Sequence, residues 1–210
     1  MTIIVHHLEE SRSQRVLWLL EELGLDYEVR RYARNAQTRL APPELKDIHP
    51  LGKSPVLQHD GRVFAESGAI IEYFAEHEHG GKLAIPAGDV ARFDYLYWLH
   101  FAEGSAMLPL LLKLYVGMLG DAGGPLMAAR IEPEIEAQLA HANRALQSAD
   151  YFAAGRFTAA DIQMSFVLDA AAQRGGLQRF PNLMRARAAH QARPAYQRAL
   201  AKGGPYKMGT

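Results

Sequence analysis

Apolar and polar positions change rhythm along the chain, and the change divides it near residue 80. Residues 3–8 form a short, β-branched apolar run, the pattern of a buried strand. Over 11–23 the apolar residues Val16, Leu19, Leu20 and Leu23 recur with the 3.6-residue period of an amphipathic helix, and Gly24 suits its C-terminal end. Tyr27, Val29 and Arg31 then alternate with polar neighbours and predict a second strand. A strand, a helix and a strand in so short a stretch make a βαβ unit with parallel strands. Residues 33–51 are polar, carry Pro42, Pro43 and Pro50, and predict a loop with at most one short helix. Val56 and Leu57 open a third strand, Asp60-Gly61 marks a tight hairpin, and 62–65 return as a fourth strand. Ser67 is placed to cap a helix with Ile70, Ile71 and Phe74 on one face, and Gly80-Gly81 end it. The order βαβ then ββα is the thioredoxin-like arrangement.

Beyond 81–88, a stretch with Pro86 and Gly88 that reads as a linker, the pattern is helical throughout. Helices are expected over about 89–118, 125–148 and 158–173, with shorter ones near 182–190 and 194–202. Pro133 should kink the second of these or mark its start. Thr158-Ala159-Ala160-Asp161 has the form of a capping box before an apolar run. The expected organisation is an α/β thioredoxin-like domain over 1–80 and an all-α domain over 89–210.

Composition narrows the function classes. Hydrophobic residues make up 49% and charged residues 22% of 210, a globular balance. Basic and acidic side chains number 23 each, so a nucleic-acid-binding role is not expected. With no cysteine, disulfides and zinc–thiolate sites are excluded, and any nucleophilic thiol must come from a ligand. No signal peptide is read at the start, and no apolar run approaches the ~18 residues of a membrane span, so a cytoplasmic protein without a membrane partner is expected.

Four features of the first domain can carry chemistry, and each also has an ordinary structural explanation. Ser11-Arg12-Ser13-Gln14-Arg15 sits between the first strand and first helix. Its serines can simply cap the helix, or the helix N-terminus and a serine hydroxyl can together hold an anion such as a thiolate. Lys53-Ser54-Pro55-Val56 precedes the third strand. A cis Ser54–Pro55 bond there would expose the main chain of Val56 to a peptide-like ligand. Glu66-Ser67 is either an acidic helix start or a grip on an α-amino acid, with Ser67 on the carboxylate and Glu66 on the ammonium. Lys53 with His49 is either a pair of solvated side chains or a clamp on a second carboxylate. Jointly the four describe a site for a short peptide with a free α-amino acid end, a central thiol and a terminal carboxylate, which is glutathione.

These segments resemble the cytosolic glutathione transferases, over essentially the whole chain. Ser11-Arg-Ser-Gln-Arg-Val-Leu-Trp-Leu-Leu-Glu-Glu-Leu-Gly24 is similar to the first helix of the serine-type members, the theta-like group and its bacterial and fungal relatives. The run from Pro42 to Leu57, the Glu66-Ser67 motif and Phe157-Thr158-Ala-Ala-Asp161-Ile162 match three further family segments in order. The resemblance implies that Ser11 is the thiol-activating hydroxyl, with Arg12 as an added positive charge. It implies that Val56 pairs with the ligand backbone, that Glu66 and Ser67 bind the γ-glutamyl end, and that Lys53 takes the glycyl carboxylate. His49 stands where relatives carry asparagine and has a weaker ligand role. Glutathione is then the co-substrate, no metal is required, and the activity is conjugation to a small hydrophobic electrophile.

The electrophile is expected between the domains, against His100, Met107, Leu111 and Tyr115, whose spacings of 7, 4 and 4 place them near one helical face; ordinary core or dimer packing explains them equally. Glu103 is a weaker candidate that in some relatives reaches a dimer partner's glutathione. A homodimer follows from the resemblance alone. The alternatives are a glutathione- or ligand-binding protein without catalysis, or a glutathione-dependent peroxidase, dehalogenase or isomerase on the same fold.

Overall fold

The computed structural model describes residues 2–174 and 176–209. The chain divides into two compact units, Met1–Ala84 together with Gln191–Thr210, and Ile85–His190.

The first unit is built on a four-stranded mixed sheet of order β2-β1-β3-β4, from β1 (Ile3–Leu8), β2 (Tyr27–Tyr32), β3 (Val56–His59) and β4 (Arg62–Ala65). β1 and β2 run parallel, with Ile3 beside Tyr27 and Leu8 beside Tyr32, as a crossover through α1 (Ser13–Leu23) requires. β3 is antiparallel to both neighbours. The β3–β4 turn uses Asp60 and Gly61, both at positive φ (52° and 72°), the geometry of the tight hairpin that Asp-Gly favours. A short α2 (Leu45–Ile48) lies in the proline-rich loop, and α3 (Ser67–His77) follows β4. Val5, Leu57, Val16, Leu20, Ile70 and Phe74 are wholly or almost wholly buried and form the core between sheet and helices.

The expected helical domain ran to residue 210. In the structure its last helix, α9 (Pro194–Gly203), instead belongs to the first unit and packs on α1. The tie is partly apolar, with Tyr196 buried and set edge-on to Trp18 at 5.1 Å. It is also ionic: Arg193 pairs with Glu22, while Arg198 and Lys202 reach Glu21 at 2.6 and 2.8 Å. Burial works against a charged Glu21, but hydrogen bonds from Lys202, Arg198 and Tyr27 outweigh it and hold its pKa below the ordinary value.

The second unit is helical: α4 (Arg92–Phe101), α5 (Met107–Met118), α6 (Gly124–Ala145), α7 (Ala159–Arg174) and α8 (Pro181–Gln191). The single helix expected over 89–118 is interrupted by a π-helical turn, Ala102–Ala106. α6 starts at Gly124, with Pro125 in its first turn, and continues through Pro133. α7 is the unit's axis. Every residue from Ala159 to Ala171 is buried, so it lacks an amphipathic stripe. Trp98 packs beside it among Phe101, Phe152 and His141, at ring distances of 5.1, 4.9 and 5.3 Å.

Candidate active site

The C-terminal end of β1 delivers the chain to Ser11 just before α1. The helix begins at Ser13, with Arg12 in the cap position and Ser11 outside it. Ser11 is buried, and its Oγ accepts the Ser13 N–H at 3.3 Å, so it occupies one of the free donors of the helix N-terminus. Its Oγ also lies 2.7 Å from the Ser13 hydroxyl. Ser13 Oγ in turn lies 2.8 Å from His7 Nδ1 and 3.3 Å from the Leu8 carbonyl. Arg12 is half-buried beside them.

Arg15, one turn into α1 and buried, donates through Nη1 to Ser67 Oγ at 3.4 Å. The first turns of α1 and α3 are thereby joined. Ser67 is the first residue of α3 rather than its cap, because Glu66 takes the cap position. Glu66 is exposed and held at φ 67°, ψ 114°, a conformation that a side chain disfavours and that commonly marks a ligand-facing turn.

The Ser54–Pro55 bond is cis. Ser54 pins this turn to β1, donating to the His6 carbonyl at 2.9 Å and accepting the Leu8 N–H at 3.2 Å. Val56 is buried, with His6 beside it on β1 and Ala65, the residue before Glu66, on β4. Lys53 is exposed. His49 is half-buried and turns Nδ1 back to accept the Leu51 N–H at 3.4 Å. Ser11, Val56, Glu66 and Ser67 are thus linked through β1 and Arg15, while Lys53 and His49 stand on the adjoining turn.

The segment after α9 also reaches this region. The main-chain N–H groups of Lys207 and Met208 donate to the Glu10 carboxylate at 2.6 and 3.1 Å, one residue from Ser11.

In the second unit the candidates are less uniform. His100 and Tyr115 are exposed, Leu111 and Glu103 half-buried, and Met107 buried. The π turn between His100 and Met107 takes up an extra residue, so positions on its two sides do not keep the shared face that a regular helix gives. Among the described residues no group of three or more His, Asp or Glu side chains is placed to hold a metal ion, and no helix is long and apolar enough to cross a membrane.

Three residues that apolar periodicity does not single out take part in this cluster: His7, Ser13 and Arg15. All are buried and polar. Their sequence signal is a polar side chain on a face that the surrounding apolar pattern sends inward. For His7, burial and the nearby Arg31 guanidinium lower the pKa to about 4 against a hydrogen bond to the Gly203 main chain. Because the folded pKa lies below the unfolded value near 6.5, the unfolded state binds the extra proton, and this group's stabilisation is complete above ~6.5 and lost towards pH 4. At 1.36 kcal/mol per pKa unit the loss is about 3 kcal/mol. Urea unfolding of the wild type should show this fall between pH 6.5 and 4, and His7→Gln should lack it; parallel pH profiles would refute the assignment.

The chain is similar to known proteins over this segment and beyond it. The family model for the glutathione S-transferase N-terminal domain matches residues 11–77, the segment from Ser11 through α3. Glutathione S-transferase 1 of Saccharomyces cerevisiae is 35% identical over 194 residues, covering 82% of each chain. Glutathione S-transferase 3 of Schizosaccharomyces pombe is 35% identical over 216 residues, covering 95% of this chain and 87% of its own. The crystal structure of a glutathione S-transferase from Actinobacillus pleuropneumoniae superposes with a TM-score of 0.88 at 32% identity, covering 98% of this chain and 95% of that one. The fold and these relatives define a thioredoxin-like unit followed in sequence by a helical one. The chain belongs to the glutathione S-transferase family.

Proposed function

We propose that the protein binds glutathione on its first unit, ionises the thiol at Ser11 and conjugates it to a small hydrophobic electrophile. The observation that carries this reading is the buried Ser11 hydroxyl at the N-terminus of α1, a helix whose Arg15 bonds Ser67 at the start of α3. The Ser11 hydroxyl donates to the thiolate, and the helix N-terminus adds a favourable partial charge. Arg12 supplies a flanking cation. Ser67 and the first turn of α3 take the α-carboxylate of the γ-glutamyl end, and Glu66 takes its ammonium. Val56 pairs with the ligand's main chain. Lys53 takes the glycyl carboxylate, with the Nε2 side of His49 as a second donor. Serine is a hydrogen-bond donor here, not the nucleophile; the sulfur of glutathione attacks the electrophilic carbon.

The electrophile is assigned to the helical unit, with Leu111 and Tyr115 on α5 and His100 and Glu103, before and within the π turn, as a separate pair of candidates; Met107, buried, packs beneath. A homodimer in the cytoplasm completes the reading. Phe93, Leu108 and Leu126 are 74%, 55% and 82% exposed, apolar side chains that a partner copy could cover.

Calorimetric titration with glutathione, with difference absorbance of the thiolate on the same samples, tests the assignment. Saturable binding with a thiolate band at neutral pH is expected. Binding without that band would overturn the catalytic reading, and no binding at millimolar glutathione would overturn the site itself.

A further inference from the structure

The segment after α9 plays no part in the thiolate chemistry described above, yet its path is fixed at each step. Arg31 on β2 donates to the carbonyls of Ala201 and Lys202, to the second at 2.8 Å through Nε, and so takes up acceptors that the end of a helix leaves open. Gly204 then turns the chain at φ 89°, ψ −163°, a conformation that glycine alone adopts readily. A Cβ there would stand 3.5 Å from the Arg31 guanidinium. Tyr206 and Met208 beyond it are buried. The segment closes on Glu10, whose two carboxylate oxygens accept the main-chain N–H groups of Lys207 and Met208, one each, at 2.6 and 3.1 Å.

Glu10 itself is held in an uncommon state. Its φ is 50°, in the left-handed region that a side chain disfavours. Neighbouring groups must therefore keep it there. From the loop after β2, the Arg34 guanidinium donates to the carbonyls of Glu9 and Glu10 at 3.0 and 3.1 Å, and the Arg34 N–H donates to the Glu9 carboxylate at 2.9 Å. These bonds fix the main chain of the turn. The segment after α9 fixes the Glu10 side chain. The next residue is Ser11, and the torsions that carry the chain from Glu10 into α1 aim its hydroxyl.

We propose that Glu10 is a positioning residue for Ser11, and that residues 204–208 form a strap whose docking on the Glu10 carboxylate holds the Ser11 hydroxyl where the thiol of glutathione meets it. The proposal rests on the assignment of Ser11 given above. Glu10 acts through the turn and does not touch the substrate. With the strap docked, the left-handed turn is kept, and Ser11 stands buried with its Oγ on the Ser13 N–H. With the strap released, the turn relaxes towards an ordinary φ and carries Ser11 with it. Reaction geometry is sensitive to such a shift: a displacement of ~1 Å can cost about 10²-fold. The coupling also runs the other way. Whatever the docked strap contributes to a bound thiolate, the thiolate returns to the strap.

Three variants of the whole chain test this. Glu10→Ala removes the acceptor, Lys207→Pro removes the donor of the shorter bond, and a third carries both changes. Each should cut the thiolate formed with glutathione at pH 7, and kcat with it, about fivefold, and the thiolate should return at higher pH. The double variant should lose no more than the worse single one, because both changes break one contact. Glu10→Gln keeps one acceptor oxygen and should recover part of the loss. Hydrogen exchange gives a readout independent of turnover. The Lys207 and Met208 amides should exchange faster in Glu10→Ala than in the wild type, and saturating glutathione should slow them in the wild type. A bound thiol that titrates as in the wild type in both single variants would overturn the strap. So would losses that multiply in the double variant, or strap amides that exchange alike with and without glutathione. Ser11→Ala is the companion. If it too leaves the thiolate unchanged, the Ser11 assignment has failed and the strap's role with it. If it alone abolishes the thiolate, only the strap has failed.

Discussion

Ser11→Ala is expected to lower kcat about tenfold or more while leaving glutathione affinity nearly unchanged. The magnitude follows from what the site must supply. A free thiol has a pKa near 8.5 and is only a few per cent ionised at pH 7. Lowering that value by about two units takes about 2.7 kcal/mol of preference for the thiolate. A hydrogen bond to a charged group provides roughly 1.5–3 kcal/mol, and a helix N-terminus about 0.3–1, rising to ~2 when partly buried. The hydroxyl is the larger part, so its loss returns most of the thiol to its unreactive form. Affinity should survive because the anchors proposed at Glu66, Ser67 and Lys53 lie elsewhere on the unit. Steady-state kinetics with a reactive aryl halide, alongside thiolate absorbance, makes the measurement. Ser11→Thr keeps the hydroxyl and should retain much of the rate. An unchanged rate in Ser11→Ala would remove Ser11 from the mechanism and leave Ser13 and Arg12, its neighbours at the same helix terminus, as the groups to test.

What could be read from sequence follows the range over which each signal acts. β1, α1, the Asp60-Gly61 hairpin and α3 rest on local signals: an apolar period, a cap, a turn dipeptide. Those elements appear within a few residues of their expected bounds. The place of α9 rests on a long-range one. Arg193, Arg198 and Lys202 are unremarkable in a helix until Glu21 and Glu22 are known to face them, about 170 residues earlier in the chain, and no local pattern shows that pairing. The π turn at Ala102–Ala106 is invisible for another reason. It adds one residue to a helix, which leaves the apolar composition intact while shifting which face His100 presents relative to Met107. At the site itself, Ser11, Glu66 and Ser67 stand at helix starts, where polar residues invite attention. His7 and Arg15 are buried among apolar neighbours, where a reading of hydrophobic period counts only what it expects to bury.

Asp161→Ala should be the most destabilising single change in the helical unit, costing about 3–5 kcal/mol. The Asp161 carboxylate is fully buried at the start of α7. One oxygen accepts the Phe152 N–H at 3.0 Å; the other accepts the Thr158 N–H at 2.8 Å and the Thr158 hydroxyl at 3.1 Å. Alanine leaves these donors facing a void, and each buried donor without a partner costs about 1–3 kcal/mol. Against a total stability of about 5–15 kcal/mol this is a large fraction. Burial raises the carboxyl pKa to about 6, and the hydrogen bonds from Phe152 and Thr158 oppose the rise. The folded state therefore binds a proton more tightly than the unfolded one. The contribution of this group is greatest below about pH 4 and falls by about 3 kcal/mol as pH rises to 6. Nature of the charge and loss of the donors' partner can be told apart with Asp161→Asn. Its carbonyl still serves one side of the site, its amide confronts the Thr158 N–H on the other, and it carries no titration. Asparagine should cost about 1–3 kcal/mol at neutral pH, less than alanine, and its deficit relative to wild type should widen as pH falls from 6 to 4. Urea unfolding at both pH values measures this. A cost below about 1 kcal/mol for Asp161→Ala would mean that water replaces the carboxylate at the head of α7. The hydrogen-bonded start of that helix would then not be what fixes the buried axis of the unit.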